Sequence, residues 1–133
     1  AAHLTMFHTL PPSAEQEIRH HLSKLVLQQD PRAFISGVMN LGGGVAFRIA
    51  SDDLDNIRAE IADRLTGLLT AQDRAGWSAH ITIQNKVTPR EAKALAQALG
   101  SQFDRRPIHI AGLGLHRYLG GPWETLRVFP FTG

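Results

Sequence analysis

The sequence predicts an α+β fold built from two similar halves, and three observations carry that prediction. His3-Leu4-Thr5-Met6 and His80-Ile81-Thr82-Ile83 repeat one four-residue pattern 77 positions apart. Apolar positions behind the first copy fall on apolar positions behind the second: Ile18 and Leu22 align with Leu95 and Leu99, and Pro12 aligns with Pro89. Further along, Phe34-Ile35-Ser36-Gly37-Val38 resembles His109-Ile110-Ala111-Gly112-Leu113, and Leu41-Gly42-Gly43 resembles Leu119-Gly120-Gly121. Each half reads as a His-x-Thr strand, a helix, a strand, a Gly-Gly turn and a strand, and a repeat of that length outranks local propensity. With 7 histidines and 8 threonines in 133 residues, about 0.4 His-x-Thr matches are expected by chance, so the surroundings of the two copies carry the weight.

Element by element, residues 1–7 alternate as a strand does. Ser13 can cap a helix over residues 14–29, with Ile18, Leu22, Leu25 and Val26 on one face, and Asp30-Pro31 ends it. Residues 33–41 and 45–50 are strands joined by the turn Gly42-Gly43-Gly44. Ser51 with Asp52 and Asp53 starts a helix reaching about residue 69, with Leu54, Ile57, Ile61, Leu65 and Leu68 apolar. Residues 70–78 form a polar loop holding Trp77, and residues 79–87 the second His strand. Thr88, Pro89 and Glu91 are a helix start: a cap, a proline at the first helical position, and a glutamate three residues on. That helix runs to Leu99, and Gly100 can terminate it. A long strand over residues 108–119, the turn Gly120-Gly121-Pro122 and a strand over residues 123–129 complete the chain. By pseudo-symmetry a strand and helix ahead of Ala1 would complete the first half, so a longer natural N-terminus is expected.

The length of 133 residues suits one domain with a real core, its repeated halves spanning about residues 1–69 and 79–133. A hydrophobic fraction of 43% and a charged fraction of 20% are ordinary for a soluble globular protein. No apolar run is long enough to span a bilayer, and no signal peptide is visible. The absence of cysteine excludes disulfides and thiolate chemistry and fits a reducing, cytoplasmic compartment. A net charge of +2 leans mildly toward anionic ligands and is far from a nucleic-acid-binding tail.

On a strand, residues i and i+2 share a face, so each His-x-Thr copy presents an imidazole beside a hydroxyl. Two such copies facing one groove supply two proton-transfer groups and two hydrogen-bond donors, a kit suited to cleaving a phosphoester without a metal. Zinc is disfavoured by the lack of Cys and of HExxH, and no cofactor is called for. On the same strand faces, Phe7 follows Thr5 while Gln84 and Lys86 follow Thr82. Lys86 and Arg48 are phosphate candidates, and Phe7 a stacking candidate whose plainer reading is core. Gly112, Gly114, His116 and Tyr118 share one strand face, and Tyr118 and Trp123 flank the second Gly-Gly turn, where they could line a groove mouth. His20 and His21 sit mid-helix and read as solvent-facing; His8, His109 and His116 show no partner pattern.

The paired His-x-Thr copies, with the stretches VMNLGGGVAFRI, HITIQNKVTP and GLGLHRYLGGPW, resemble the 2H phosphoesterases, and within them the bacterial 2′-5′ RNA ligase-like branch. The resemblance covers nearly the whole chain. It implies two pseudo-symmetric lobes, each an antiparallel sheet with flanking helices, around a central groove. It also implies that His3 and His80 are catalytic, with His80 the water-activating base and His3 the acid, and that Thr5 and Thr82 bind phosphate oxygens. The implied substrates are RNA ends or small nucleotides with a 2′,3′-cyclic phosphate, opened by water or, in reverse, joined to a 5′-hydroxyl. A nucleotide- or RNA-binding module without turnover is the alternative on the same fold, although a pure binder needs no proton shuttle. A structural domain acting through protein partners is a third. Nothing in the sequence reads out an oligomeric state.

Overall fold

The computed structural model describes residues 2–118 and 123–133. The expected turn at Gly120-Gly121-Pro122, the strand end at Leu119 and the side chain of Tyr118 lie outside the described residues, as does Ala1. The rest is α+β: a four-stranded antiparallel sheet ordered His80–Gln84, Val45–Ala50, Arg32–Asn40, Arg106–His109, and a two-stranded antiparallel ribbon of Gly112–Tyr118 with Trp123–Pro130.

In chain order, a 3₁₀ turn at Pro12–Ala14 leads into α1 (Glu15–Leu25). Strands β1 (Arg32–Asn40) and β2 (Val45–Ala50) form a hairpin over the glycine turn, followed by α2 (Asp52–Arg64) and the one-turn helix α3 (Ala71–Arg74). Strand β3 (His80–Gln84) and α4 (Pro89–Ser101) precede β4 (Arg106–His109), β5 (Gly112–Tyr118) and β6 (Trp123–Pro130). The two strongest sequence signals for helix starts are realised: Ser51 Oγ accepts from Leu54 N at 3.0 Å, and Thr88 Oγ1 accepts from Glu91 N at 3.2 Å.

Several expectations are corrected. Residues 2–11 form neither helix nor strand. A strand requires a ladder partner, and no described strand pairs with this segment; just beyond the expected strand the backbone N–H groups of His8 and Thr9 donate to the Asp73 carboxylate. Ser13 lies inside the 3₁₀ turn that Pro12 opens, so it caps nothing. Helix α1 stops at Leu25, and beyond it the carbonyls of Val26 and Gln28 accept from Thr132 N and Gly133 N at 2.8 and 3.1 Å. Helix α2 ends near Gly67, whose φ of +82° breaks the helical path. The long strand expected over residues 108–119 is two strands in different sheets, parted at Ile110-Ala111.

The core is continuous between the two sheets. Ile18, Leu22 and Leu25 of α1 and Leu54, Ile57 and Ile61 of α2, with Leu65 just past its end, pack with Ala33, Ile35 and Ile49 of the large sheet. Leu113 and Phe129 join them from the ribbon. Each such side chain contributes about 1.5–3 kcal/mol on full burial, so these apolar stripes account for the packing of both helices.

His21, expected in solvent, is 5% exposed because it shares the buried stripe of α1 with Ile18, Leu22 and Leu25. Among the described residues its Nε2 has no hydrogen-bond partner, and Glu60 Oε1 is 3.7 Å away. Burial, then the Arg64 charge, lowers the His21 pKa, and Glu60 opposes them. Folding thus favours the neutral ring, so the unfolded chain binds a proton first as pH falls through its value of about 6.5. Stability is therefore expected to be lost as pH drops from 7.5 to 5.5. Thermal melts of His21→Leu should show a smaller loss across that window than the wild type.

Candidate functional site

Strand β3 carries the second His-x-Thr copy and is an edge of the large sheet, laid antiparallel on β2. The register places Arg48 opposite His80 and Gly37 opposite Arg48, so one row runs His80, Arg48, Gly37 across three strands. Directly opposed residues share a face. Ala46 pairs with Thr82 one row along, which sets His80, Thr82 and Arg48 on a single sheet face. The opposite face, with Phe47, Ile49 and Ile81, belongs to the core.

Two local features shape this row. Gly37 lies alongside the Arg48 side chain: a Cβ there would make ordinary van der Waals contact, 3.9 Å from both Cβ and Nη1 of Arg48. Among the described residues Arg48 has no carboxylate partner, so its cation is open to an anion. His80 Nδ1 lies 2.7 Å from the Ser78 carbonyl oxygen. A carbonyl only accepts, so Nδ1 is the donor, and in the neutral ring Nε2 is the acceptor.

His3 and Thr5 are exposed while Leu4 and Met6 pack against the core, so the alternation predicted for a strand persists without a ladder. Arg58 Nε donates to the Met6 carbonyl at 2.9 Å and anchors the segment one residue past Thr5.

The remaining candidates separate. Gln84 leaves the face of Thr82: a bulge at Ile83 pairs Gln84 with Val45 and Thr82 with Ala46, which turns Gln84 to the opposite side. Its Oε1 is buried and has no hydrogen-bond partner among the described residues. Lys86 lies past the end of β3 with φ +57°, so the two-residue alternation that placed it beside Thr82 does not reach it. Phe7 packs on the core with the Arg58 guanidinium 4.6 Å from its ring centre, which commits the ring to internal packing. Trp123 opens β6 and is 61% exposed. Tyr118 ends β5. The histidines read as lacking partners have them: His8 meets Asp73, His109 meets Asp30, and His116 Nδ1 lies 3.2 Å from Thr125 Oγ1.

Sequence reading missed Arg58 and Asp73. Asp73 is 1% exposed and accepts from His8 N at 2.9 Å, Thr9 N at 3.1 Å and His8 Nδ1 at 3.1 Å. Burial alone would raise its pKa; the amides of His8 and Thr9, then the His8 ring, more than offset this and hold it below the usual carboxylate value. Arg58 was visible as a charge beside Leu54, Ile57 and Ile61 on the apolar stripe of α2; Asp73 left only the Thr70-x-x-Asp73 spacing of a cap, with Asp73 N donating to Thr70 Oγ1.

Among the described residues no three His, Cys, Asp or Glu side chains are grouped to hold a metal ion. None of the described helices is long and apolar enough to cross a membrane. No curated protein matches the chain. The family model of the 2′-5′ RNA ligase superfamily matches residues 1–122, and the chain belongs to that superfamily.

Proposed function

We propose that the chain acts as one domain and opens the 2′,3′-cyclic phosphates of RNA ends or nucleotides by a two-histidine acid–base mechanism. The observation that carries this reading is the row of His80, Arg48 and Gly37 with Thr82 on the same face, His80 having its proton fixed on Nδ1. Nε2 is then the base that takes a proton from water as its oxygen attacks phosphorus. One P–O bond to the ribose breaks, and His3 gives its proton to the departing oxygen. The Thr82 and Thr5 hydroxyls donate to the non-bridging oxygens, and the Arg48 guanidinium balances their charge. In reverse, a 5′-hydroxyl takes the place of water and the same groups join two ends. Of the other binding candidates, Trp123 and Tyr118 stay with this reading as groove-mouth residues.

Hydrolysis of 2′,3′-cyclic nucleotides in the presence of EDTA tests it. Turnover that survives chelation and yields one phosphomonoester isomer is expected; no turnover, with nucleotide binding intact, would move the function to a binding module. Arg48→Ala is expected to raise KM by about tenfold or more, the worth of a hydrogen bond to a charged group, with a smaller change in kcat. Initial rates across substrate concentration read the split.

A further inference from the structure

The Arg58 side chain joins the two segments that lead to the two histidines. From the first it receives the Met6 carbonyl at 2.9 Å and the Phe7 ring at 4.6 Å. From the second it receives the Asp73 carbonyl at 2.7 Å and the Trp77 ring at 5.6 Å. Each segment thus contributes one carbonyl and one aromatic face. The Asp73 carboxylate then grips the first segment directly, through the backbone amides of His8 and Thr9 and the His8 ring. Trp77 is fastened in turn, its Nε1 donating to Asp55 Oδ1 at 3.1 Å.

We propose that Arg58 and Asp73 are positioning residues that set the first His-x-Thr copy relative to the second. The large sheet cannot do this, because residues 2–11 are in no ladder. Both groups are nearly buried, Arg58 at 7% and Asp73 at 1% exposure. Well-packed apolar side chains would hold the segments together as firmly, but without direction. A planar guanidinium with fixed donors and two usable faces defines a relative placement. The kinetic part of this proposal rests on the two-histidine reading; its geometric part does not.

The chain has no native cysteine, so spin labels on Ala2→Cys and Ser78→Cys, both exposed, report the separation of the two segments. A narrow distance distribution is expected in the parent and a broadened or displaced one in Asp73→Asn and Arg58→Lys. In kinetics, each variant should lower kcat by about a hundredfold, the scale of a misplacement of about 1 Å, with KM nearly unchanged. Combined with His3→Ala, neither should add a further loss, because the residue they place is already gone. An unchanged distance distribution in a folded variant overturns the proposal, as do losses that multiply with His3→Ala. If His3→Ala is itself fully active, the two-histidine reading fails while the distance measurement still decides the clamp. Arg58→Lys serves where Asp73→Asn does not fold.

Discussion

His80→Ala should lower kcat on a 2′,3′-cyclic nucleotide by about 10³–10⁴-fold and leave the fold intact. The magnitude is the upper range for removing a positioned proton-transfer group. The fold is expected to survive because the ring is only half-buried and its hydrogen bond is with the Ser78 carbonyl, which water can replace. KM should change little if Arg48 and Thr82 still hold the phosphate. His3→Ala should give a loss of similar size, and the double variant should fall well short of the product of the two, since groups acting on one transition state are not additive. Near-wild-type turnover by either single variant would overturn the mechanism.

Gly44→Ala is expected to destabilise the molecule strongly for the addition of a single methyl group. A Cβ at Gly44 would collide with the Gln84 carbonyl oxygen and lie 2.8 Å from Asn85 Cα, and both are backbone atoms that cannot rotate away. The end of β3 must then move, at about 1–3 kcal/mol for overpacking. Because β3 carries His80 and Thr82, activity should fall together with stability. The neighbouring glycines supply the scale. A Cβ at Gly43 meets only the Val87 carbonyl at 3.7 Å, so Gly43→Ala should be nearly silent. Gly42 has open space but φ +87°, so Gly42→Ala should cost about 1 kcal/mol through backbone strain alone. Thermal melts of the three variants should rank 44, 42, 43 in order of loss; an undiminished Gly44→Ala would mean that β3 is not pinned by this turn.

Much of this was legible in the sequence wherever the cause is local. Ser51 and Thr88 cap their helices because a hydroxyl reaches an amide three residues away, and the β1–β2 hairpin follows from alternation around three glycines. The second His-x-Thr copy lies on a strand as its alternation required. What was not legible depends on a distant partner. The bulge at Ile83 that turns Gln84 away exists only against β2, and His21 is buried only because α2 covers it. Asp73 meets His8 and Thr9 across 65 and 64 residues, so nothing near either end announces the contact. Alternation in residues 3–6 foretold which side chains point outward but not that the segment would lack a neighbouring strand.

The clamp also bears on the order in which the molecule assembles. Its hydrogen bonds to residues 6–9 close loops of 52 to 65 residues, whereas the β1–β2 hairpin closes across a turn of a few. Long closures carry the larger entropy cost and form late. Residues 2–11 are therefore expected to settle after the large sheet and α2 exist, and to be the first part released on local opening. Amide exchange at His8 and Thr9 should be faster than in β1 and β2, so the first His-x-Thr copy takes its place only in a chain that has finished folding.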